Sequence, residues 1–486
     1  MRRAGVLSGC AGSGKTTTSD CLTACVRKYL PNYEIVYATP TGKACRRLAE
    51  VVGGTVRTIH SQFGVGMYGE GYFSDIKKKF EDWNSPTHIV YMLDEMAMCN
   101  TDLLYEICRS LGREDMIFFL GDCKQLPPIG KGNPFYLLMK ILPCVELGVS
   151  KRAAEGSQVN YNVTLVNCAS DDVVQELYYD DKTFFCRECG DAEIPRTVVN
   201  VWKGFMEGTL TDEKFNEDDI QVISGYATPE KLFSSTSLNK PLQQYLRRDD
   251  KLFFRHGDRE FYKHERVIHS KLNSYGTQRY IEIEENVFKS VVTLGIMNGE
   301  VGKLVGITRT DFARFEEFAE DDLETETELY GFLSNEEKKR LLEIREKYED
   351  KIRDDASFRN ENFYYVKVLV YDTDLKRDVT ILYPARGYKQ DDILVLGGED
   401  LGNLDYAYAL TTHKMQGSQA KVIILPFGST CNPNFINRNM INTMMSRSQL
   451  IVCNVGDVKG INSPITKGRR IPSPLETNDM LSLLSE

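Results

Sequence analysis

The sequence predicts an α/β fold with parallel sheets, and three segments near its start carry that prediction. Each is a short, mostly apolar run followed at once by glycine or acidic residues: 4–7 before a glycine-rich loop, 89–93 before two carboxylates, and 116–120 before a Gly-Asp turn. Such runs are typical of strands that a parallel sheet buries on both faces. Because ligands bind at the carboxyl ends of these strands, the three endings also predict a functional site.

The composition is that of a globular protein with several domains. The chain has 486 residues, of which 42% are hydrophobic and 27% charged, and domains usually contain roughly 100–200 residues. No apolar run approaches the roughly 18–20 residues that span a bilayer, which argues against an integral membrane protein. The thirteen scattered cysteines favour a reducing, cytoplasmic compartment. The net charge of -10 counts mildly against diffuse binding to nucleic acid.

The loop after the first predicted strand matches the phosphate-binding pattern G-x-x-x-x-G-K-[ST] at every fixed position, and a helix-like segment over 17–29 follows it. In this pattern backbone amides and the helix N-terminus face phosphate oxygens. Lys15 is expected to reach the β- and γ-phosphates of ATP, and Thr16 to hold Mg²⁺. The predicted nucleotide ligands are Gly9, Cys10, Ala11, Gly12, Ser13, Gly14, Lys15 and Thr16.

Two acidic residues end the strand predicted over 89–93. We expect Asp94 to hold Mg²⁺ and Glu95 to activate the attacking water; taken alone, such a pair could also be the charged start of a helix. The strand over 116–120 leads to Gln125, a candidate sensor of the γ-phosphate. This last signal is weak by itself, because Gly-Asp and Pro-Pro are ordinary turn sequences.

Seven blocks lie in a fixed order along the chain. They are ATPTGKA at 38–44, TIHS at 58–61, DEMAM at 94–98, GDCKQL at 121–126, LGVSKR at 147–152, YALTTHKMQGS at 408–418 and NTMMSRS at 442–448. In this order they resemble the motifs of superfamily 1B DNA helicases of the RecD/Dda branch, closest in pattern to the Dda-type helicases of phages. Two departures stand out, since Arg152 is followed by alanine and Asn442 takes the place of the usual tyrosine.

The resemblance implies two RecA-like P-loop lobes, ATP and Mg²⁺ as cofactors, and movement along single-stranded DNA in the 5′→3′ direction. It implies catalytic roles for Lys15, Asp94, Glu95, Gln125, Arg152 and Arg447, and a nucleotide contact for Gly417. It implies nucleic-acid contacts for Pro40, Thr41, Thr58, His60, Thr412, His413 and Asn442. Without the resemblance, the arginines could be surface ion pairs and the histidines could be capping or core residues. The family's adenine-reading element normally precedes the P-loop, and only eight residues do so in this sequence, so the resemblance does not imply selectivity for adenine.

The same resemblance gives the predicted domains. They are a first lobe over 1–150 with a β-hairpin insertion (1B) at about 61–84, a second lobe over 151–262 and 401–486, and an SH3-like β-barrel (2B) over 263–400. In the hairpin, Tyr68, Tyr72 and Phe73 are predicted to form a pin that separates strands, although they could instead pack on the lobe.

A charged helical arm is predicted at about 310–360, inside the barrel region. Within it, 311–328 contains nine acidic residues and one arginine, a local charge of -8. The remainder of the chain is therefore nearly neutral, and the acidity does not forbid a DNA groove elsewhere. The arm could be a solvated helix, a brace against the first lobe, or a docking site for a partner.

Together these features predict an ATP-dependent DNA helicase that unwinds duplex DNA. We expect a monomer in a bacterial or phage-infected cytoplasm that binds single-stranded DNA and junctions, with possible replication or recombination partners on the arm. Two alternatives stay open. One is a RecD-like ATPase subunit of a larger recombination complex, and the other is an RNA-stimulated helicase.

Overall fold

The computed structural model describes residues 3–10, 12–52, 56–63, 88–148, 157–168, 176–270, 279–291, 299, 301–309, 314–316, 363–372, 377–432 and 435–457. The predicted hairpin therefore lies outside the described residues from position 64 onward, as do Ala11, Arg152 and most of the predicted arm. The described part contains no helix that is both long and apolar enough to cross a membrane.

Strands and helices alternate over residues 4–256, and the described elements from 252 to 397 are strands. The strands are β1 Ala4–Gly9, β2 Tyr33–Thr39, β3 Val56–Thr58, β4 His88–Leu93, β5 Met116–Gly121, β6 Cys144–Leu147, β7 Phe184–Glu188, β8 Ile220–Ser224, β9 Leu252–His256, β10 Arg259–Tyr262, β11 Arg266–His269, β12 Arg279–Glu284, β13 Val287–Val291, β14 Val301–Arg309, β15 Arg314–Glu316, β16 Phe363–Asp372, β17 Arg377–Gln390, β18 Ile393–Gly397, β19 Leu404–Tyr406, β20 Ala409–Thr411, β21 Ala420–Phe427 and β22 Ser448–Gly456. The α-helices are α1 Lys15–Tyr29, α2 Gly42–Val52, α3 Ile59–Phe63, α4 Thr101–Arg109, α5 Pro134–Ile141, α6 Gln158–Cys168, α7 Ile194–Glu207, α8 Ser235–Leu246, α9 Glu399–Gly402 and α10 Arg438–Met445.

The first lobe is a parallel sheet in the order β3-β2-β4-β5-β1-β6. Alternate residues of β4 belong to different apolar clusters: Tyr91 and Leu93 pack with Ile107 and Phe135, whereas Val90 packs with residues of α1 and α2. The sheet is therefore covered on both faces, which explains the continuous apolar runs in its strands.

The second lobe is another parallel sheet, in the order β20-β8-β21-β22-β7. Helix α7 packs on β21 and β22, with Trp202 and Phe205 fully buried, and it ends at Gly208 in the left-handed conformation that closes many helices. The two parallel sheets with their covering helices confirm the predicted α/β fold class.

By contact density the chain forms two compact units, 1–242 with 408–486, and 243–407. Both parallel sheets belong to the first unit. The second unit is one mainly antiparallel sheet of eleven strands with the path β10-β9-β18-β17-β16-β14-β11-β19, and its core contains Phe254, Val366 and Tyr383. The SH3-like description of this unit, the hairpin insertion and the predicted domain boundaries stay predictions.

Candidate nucleotide site and lobe interface

The loop between β1 and α1 is a tight glycine-dependent turn. Gly14 directly precedes α1 with a φ of 90°, a left-handed conformation that glycine adopts without steric cost. A Cβ added to Gly9 would lie 2.4 Å from the hydroxyl oxygen of Ser13, so a side chain at Gly9 would force the loop apart. The Lys15 ammonium donates to the carbonyl oxygens of Gly9 at 2.8 Å and Cys10 at 3.2 Å. The lysine is therefore held inside the loop, at the N-terminus of α1.

Asp94 and Glu95 follow directly after β4. The Asp94 amide donates to the Ala38 carbonyl (2.9 Å), and its Oδ1 accepts from the Glu95 amide (2.7 Å). Glu95 has a φ of 56° and a ψ of 34°, an uncommon conformation for a residue other than glycine and one that clusters at functional sites. Burial and the charge of Glu95 raise the pKa of Asp94, while the Lys15 ammonium opposes the shift. The structure thus brings Lys15 and both predicted carboxylates together.

In the loop after β5, Asp122 accepts hydrogen bonds from both the side chain and the backbone of Gln125. Asp122 is almost fully buried, and its carboxylate accepts from the Lys124 amide (3.0 Å) and from the Gln125 side-chain amide (3.2 Å). The Gln125 amide also donates to the Asp122 carbonyl oxygen at 3.1 Å. Gln125 is therefore a buried, oriented side chain, as a sensor residue would require.

Arg447 of the second lobe lies close to this cluster. Its side chain is fully buried; Nε donates to the Thr443 carbonyl at 3.1 Å and Nη2 to the Ser446 hydroxyl at 3.2 Å. Among the described residues Nη1 has no hydrogen-bond partner. Burial lowers the pKa of the guanidinium, and the charges of Glu95 and Asp122 act against that shift. A buried cation with an unused donor beside two acidic groups is suited to an anionic ligand.

The sequence patterns did not single out Arg47 of α2. Its charge acts on the pKa of both Asp94 and Arg447, so it lies in the same electrostatic neighbourhood. Its only signal in the sequence is its place three residues after the 38–44 block.

The donor set suits Mg²⁺ more than a softer metal. The described residues contain no cluster of three or more His, Cys, Asp or Glu side chains that could hold a metal. The Thr16 hydroxyl and the Asp94 carboxylate are hard oxygen donors, and Mg²⁺ commonly uses one or two such protein ligands together with phosphate and water.

Two protein-family matches cover the two lobes in the order that the motifs predict. Residues 1–131 match the AAA domain family, and residues 406–452 match the UvrD-like helicase C-terminal domain. The ATP-dependent RecD2 DNA helicase of Deinococcus radiodurans is 29% identical over 142 residues, which are 29% of this chain and 18% of that protein. These matches support a relationship to the superfamily 1B helicases of the RecD branch. The region that matches the AAA domain family contains the P-loop.

Two further similarities extend along more of the chain. An uncharacterized protein of Methanocaldococcus jannaschii is 24% identical over 92% of the chain. The chain spans 36% of that relative's length. Pif1 helicase from Candida albicans superposes over 99% of this chain and 95% of its own with a TM-score of 0.47 and 15% identity. The closer likeness to Dda-type helicases stays a prediction.

The two lobes of this chain meet through α10 and the loop after β5. The Asn442 side-chain amide donates to the Lys124 carbonyl at 2.8 Å. The Leu126 amide donates to the Thr443 hydroxyl at 2.9 Å, and the Asn439 amide donates to the Gln125 carbonyl at 2.8 Å. These three side chains of α10 are buried. We call this set of hydrogen bonds the interlobe contact.

Two of the predicted nucleic-acid residues have buried side chains in this structure. Asn442 is 2% exposed and is used in the interlobe contact. Thr412 is 1% exposed, and both its amide and its hydroxyl donate to the Ser224 carbonyl, at 3.0 and 3.2 Å. Both side chains are buried and hydrogen-bonded within the protein in this structure, and their contact with nucleic acid stays a prediction.

The other predicted nucleic-acid residues lie on more accessible positions. His60 borders a cavity of about 400 Å³ that α4 also lines, and burial lowers the pKa of both His60 and His413. Pro40, Thr41 and Thr58 are partly exposed. A Cβ added to Gly417 would lie 3.7 Å from the Thr41 hydroxyl oxygen. The block at 408–418 in the second lobe therefore lies next to the block at 38–44 in the first. This places Gly417 among the predicted nucleic-acid segments, and its role as a nucleotide ligand stays a prediction.

Proposed function

We propose that the chain is an ATP-dependent DNA helicase that moves 5′→3′ along single-stranded DNA and unwinds duplexes. The observation that carries this proposal is that Arg447 of the second lobe is buried and hydrogen-bonded to Thr443, whose hydroxyl accepts from the Leu126 amide in the first lobe, next to Gln125. A nucleotide bound at the P-loop would therefore contact both lobes. Hydrolysis of that nucleotide would change the interactions between the two lobes, and movement along DNA requires such a change.

In this proposal each residue of the site has a separate task. Lys15 leaves its carbonyl partners to contact the β- and γ-phosphates. Glu95 accepts a proton from the attacking water, and Gln125 orients that water or the γ-phosphate. Thr16 and Asp94 would hold Mg²⁺, which neutralises charge between the phosphates. Arg447, and Arg152 by resemblance, would stabilise the charge that develops on the transferred phosphoryl group.

The proposed DNA contacts use neutral groups. The partly exposed Thr41 and Thr58 with the two histidines can bind phosphate and sugar without reading bases. The named activity of the Deinococcus relative supports DNA as the substrate, while the direction of movement rests on the resemblance of the motifs. We further propose that the protein acts as a monomer.

Helicase assays on tailed duplexes test the proposal. The purified chain is expected to unwind a duplex with a 5′ single-stranded tail in the presence of ATP and Mg²⁺, and to fail on a blunt duplex. Unwinding only from a 3′ tail would overturn the proposed polarity. ATPase activity stimulated by single-stranded RNA but not by DNA would favour the RNA-stimulated alternative.

A RecD-like subunit is the second candidate. RecD of the RecBCD enzyme from Buchnera aphidicola is 27% identical over 26% of this chain. This candidate predicts weak unwinding by the chain alone and co-elution with host proteins on size exclusion. Strong unwinding by a purified monomer would exclude it.

A further inference from the structure

The interlobe contact connects two parts of the site that lie far apart in the sequence. Leu126 and Thr443 are separated by 317 residues, yet the Leu126 amide donates to the Thr443 hydroxyl at 2.9 Å. The same hydroxyl donates to the Asn439 carbonyl at 2.8 Å, so both its hydrogen-bonding roles are used. Thr443 is fully buried. Its hydroxyl therefore has a defined partner in each lobe.

Thr443 also holds the arginine. Its carbonyl accepts from Arg447 Nε at 3.1 Å, so one residue is bonded to the loop of the first lobe by its side chain and to the guanidinium by its backbone. On the loop side, the amide that Thr443 binds belongs to the residue after Gln125. A shift of Thr443 relative to the loop would therefore change the spacing of Gln125 and Arg447.

The neighbouring side chains reinforce the same geometry. The Asn442 amide donates to the Lys124 carbonyl at 2.8 Å, and the Asn439 amide to the Gln125 carbonyl at 2.8 Å. Three consecutive loop residues thus have a backbone group bonded to a side chain of α10. Directional hydrogen bonds between buried groups favour one particular arrangement of the parts that they join. The contact is short-range and directional, unlike an apolar interface, which tolerates sliding.

We propose that Thr443 and Asn442 are positioning residues that hold Arg447 at the correct distance from Gln125 for hydrolysis. Separation of the two lobes would remove this placement. This inference rests on the proposed ATPase function. In this inference the two residues act through Arg447 and the loop, rather than by direct contact with the reacting groups. When the lobes separate, these hydrogen bonds break together and the arginine loses its position.

Thr443→Val tests the hydroxyl with little change of shape. We expect the DNA-stimulated kcat to fall about tenfold or more, with nucleotide Kd and KM changed less than about twofold. Thr443→Ser keeps the hydroxyl and should retain most of the activity. Asn437→Ala is the matched control, because Asn437 caps the same helix by accepting from the Met440 amide, and among the described residues no hydrogen bond joins its side chain to the loop. Its kcat should stay within about twofold of wild type.

A double mutant separates positioning from general packing. If Thr443 acts through Arg447, Thr443→Val should change single-turnover hydrolysis less than about twofold once Arg447→Ala is present. An equal loss in both backgrounds, or a defect in KM alone, would overturn the inference. Should Thr443→Val fail to fold, Asn442→Leu removes the donor to the Lys124 carbonyl with little change of size and no added charge, and it should give the same loss of kcat. A wild-type chain without DNA-stimulated ATPase activity would refute the proposed function itself, whereas an active wild type with a normal Thr443→Val variant refutes only the positioning role.

Discussion

At the scale of single residues, the site is built from groups whose environment changes their chemistry. Glu95 is held in a left-handed conformation immediately after a buried strand, and Arg447 is a fully buried cation. Both arrangements are unfavourable for folding unless a ligand or neighbouring charge compensates. Such compensation is expected at a catalytic centre, where position matters more than stability.

The first prediction concerns Glu95 and Lys15. Glu95→Gln removes the base while keeping the shape, so the variant should bind ATP with near-normal affinity and lose at least about 10²-fold in turnover. Lys15→Ala should lose hydrolysis through lost phosphate binding. Nucleotide Kd from a fluorescent ATP analogue and steady-state turnover distinguish the two. Near-normal turnover in either variant would contradict the assignment.

The second prediction follows from the raised pKa of Asp94. Its ordinary value is 3.8, and the native carboxyl holds its proton more tightly than the unfolded chain does. The free energy of unfolding therefore falls as the pH rises from this value through the raised pKa. Above that pKa the ionised Asp94 carboxylate continues to destabilise the folded state. Asp94→Asn abolishes that penalty, so without Mg²⁺ and nucleotide its Tm should exceed the wild-type Tm by about 2 °C or more at neutral pH.

A pH series of thermal melts checks this expectation. The difference in Tm should shrink as the pH falls toward the ordinary value of 3.8. Asp20→Asn, an exposed change on α1, serves as the control and should show no such pH-dependent gain. A Tm difference between Asp94→Asn and wild type that stays constant across the series, or is absent at every pH, would contradict a destabilising Asp94 carboxylate.

At the scale of elements, the two parallel sheets present their functional residues at strand ends and helix starts. β1 leads to the P-loop, β4 to the carboxylate pair and β5 to Gln125, all on adjacent strands of one sheet. Helix α10 then carries Arg447 just past its last turn. The rigid strands fix the first three groups, while the arginine depends on how the two lobes meet.

The third prediction concerns the hairpin proposed around 61–84, whose aromatic residues lie outside the described residues. A base stacked on an aromatic side chain contributes roughly 1–3 kcal/mol, similar to one step of duplex stacking. Replacing Tyr68, Tyr72 and Phe73 together with alanine should therefore slow duplex unwinding several-fold while single-stranded DNA still stimulates ATPase activity. Equal loss of both activities would show that these aromatics pack on the lobe instead.

At the scale of the whole molecule, the charge distribution bears on DNA binding. The chain carries a net charge of -10, and the proposed contact residues are threonines and histidines rather than lysines. Burial lowers the pKa of His60 and His413 below the ordinary 6.5, so both are neutral at physiological pH. Few counterions would then be released on binding.

The fourth prediction is a shallow salt dependence. For single-stranded DNA the slope of log K against log salt is about -0.7 per phosphate neutralised, so a slope of magnitude below about 2 is expected near neutral pH. Acidification below the lowered histidine pKa values adds positive charge, which should raise affinity and steepen the slope. Titration by fluorescence anisotropy over a salt and pH grid measures both effects. A steep slope at neutral pH would point to lysine or arginine contacts elsewhere.

Local patterns in the sequence were sufficient to predict the α/β class, the P-loop turn and the positions of Lys15, Asp94, Glu95 and Gln125. These features depend on residues adjacent in the chain, because glycine spacing and apolar runs determine the backbone nearby. The same patterns did not single out Arg47, and they gave no sign that the side chains of Thr412 and Asn442 are buried.

Only the tertiary structure decided what Thr412, Asn442 and Thr443 contact. A block that resembles a DNA-binding motif does not reveal whether its hydroxyl or amide faces solvent or a neighbouring backbone group. For Thr443 that neighbour is Leu126, 317 residues away. Burial depends on which surfaces the two sheets bring together, and this is set by packing over the whole chain rather than by local spacing.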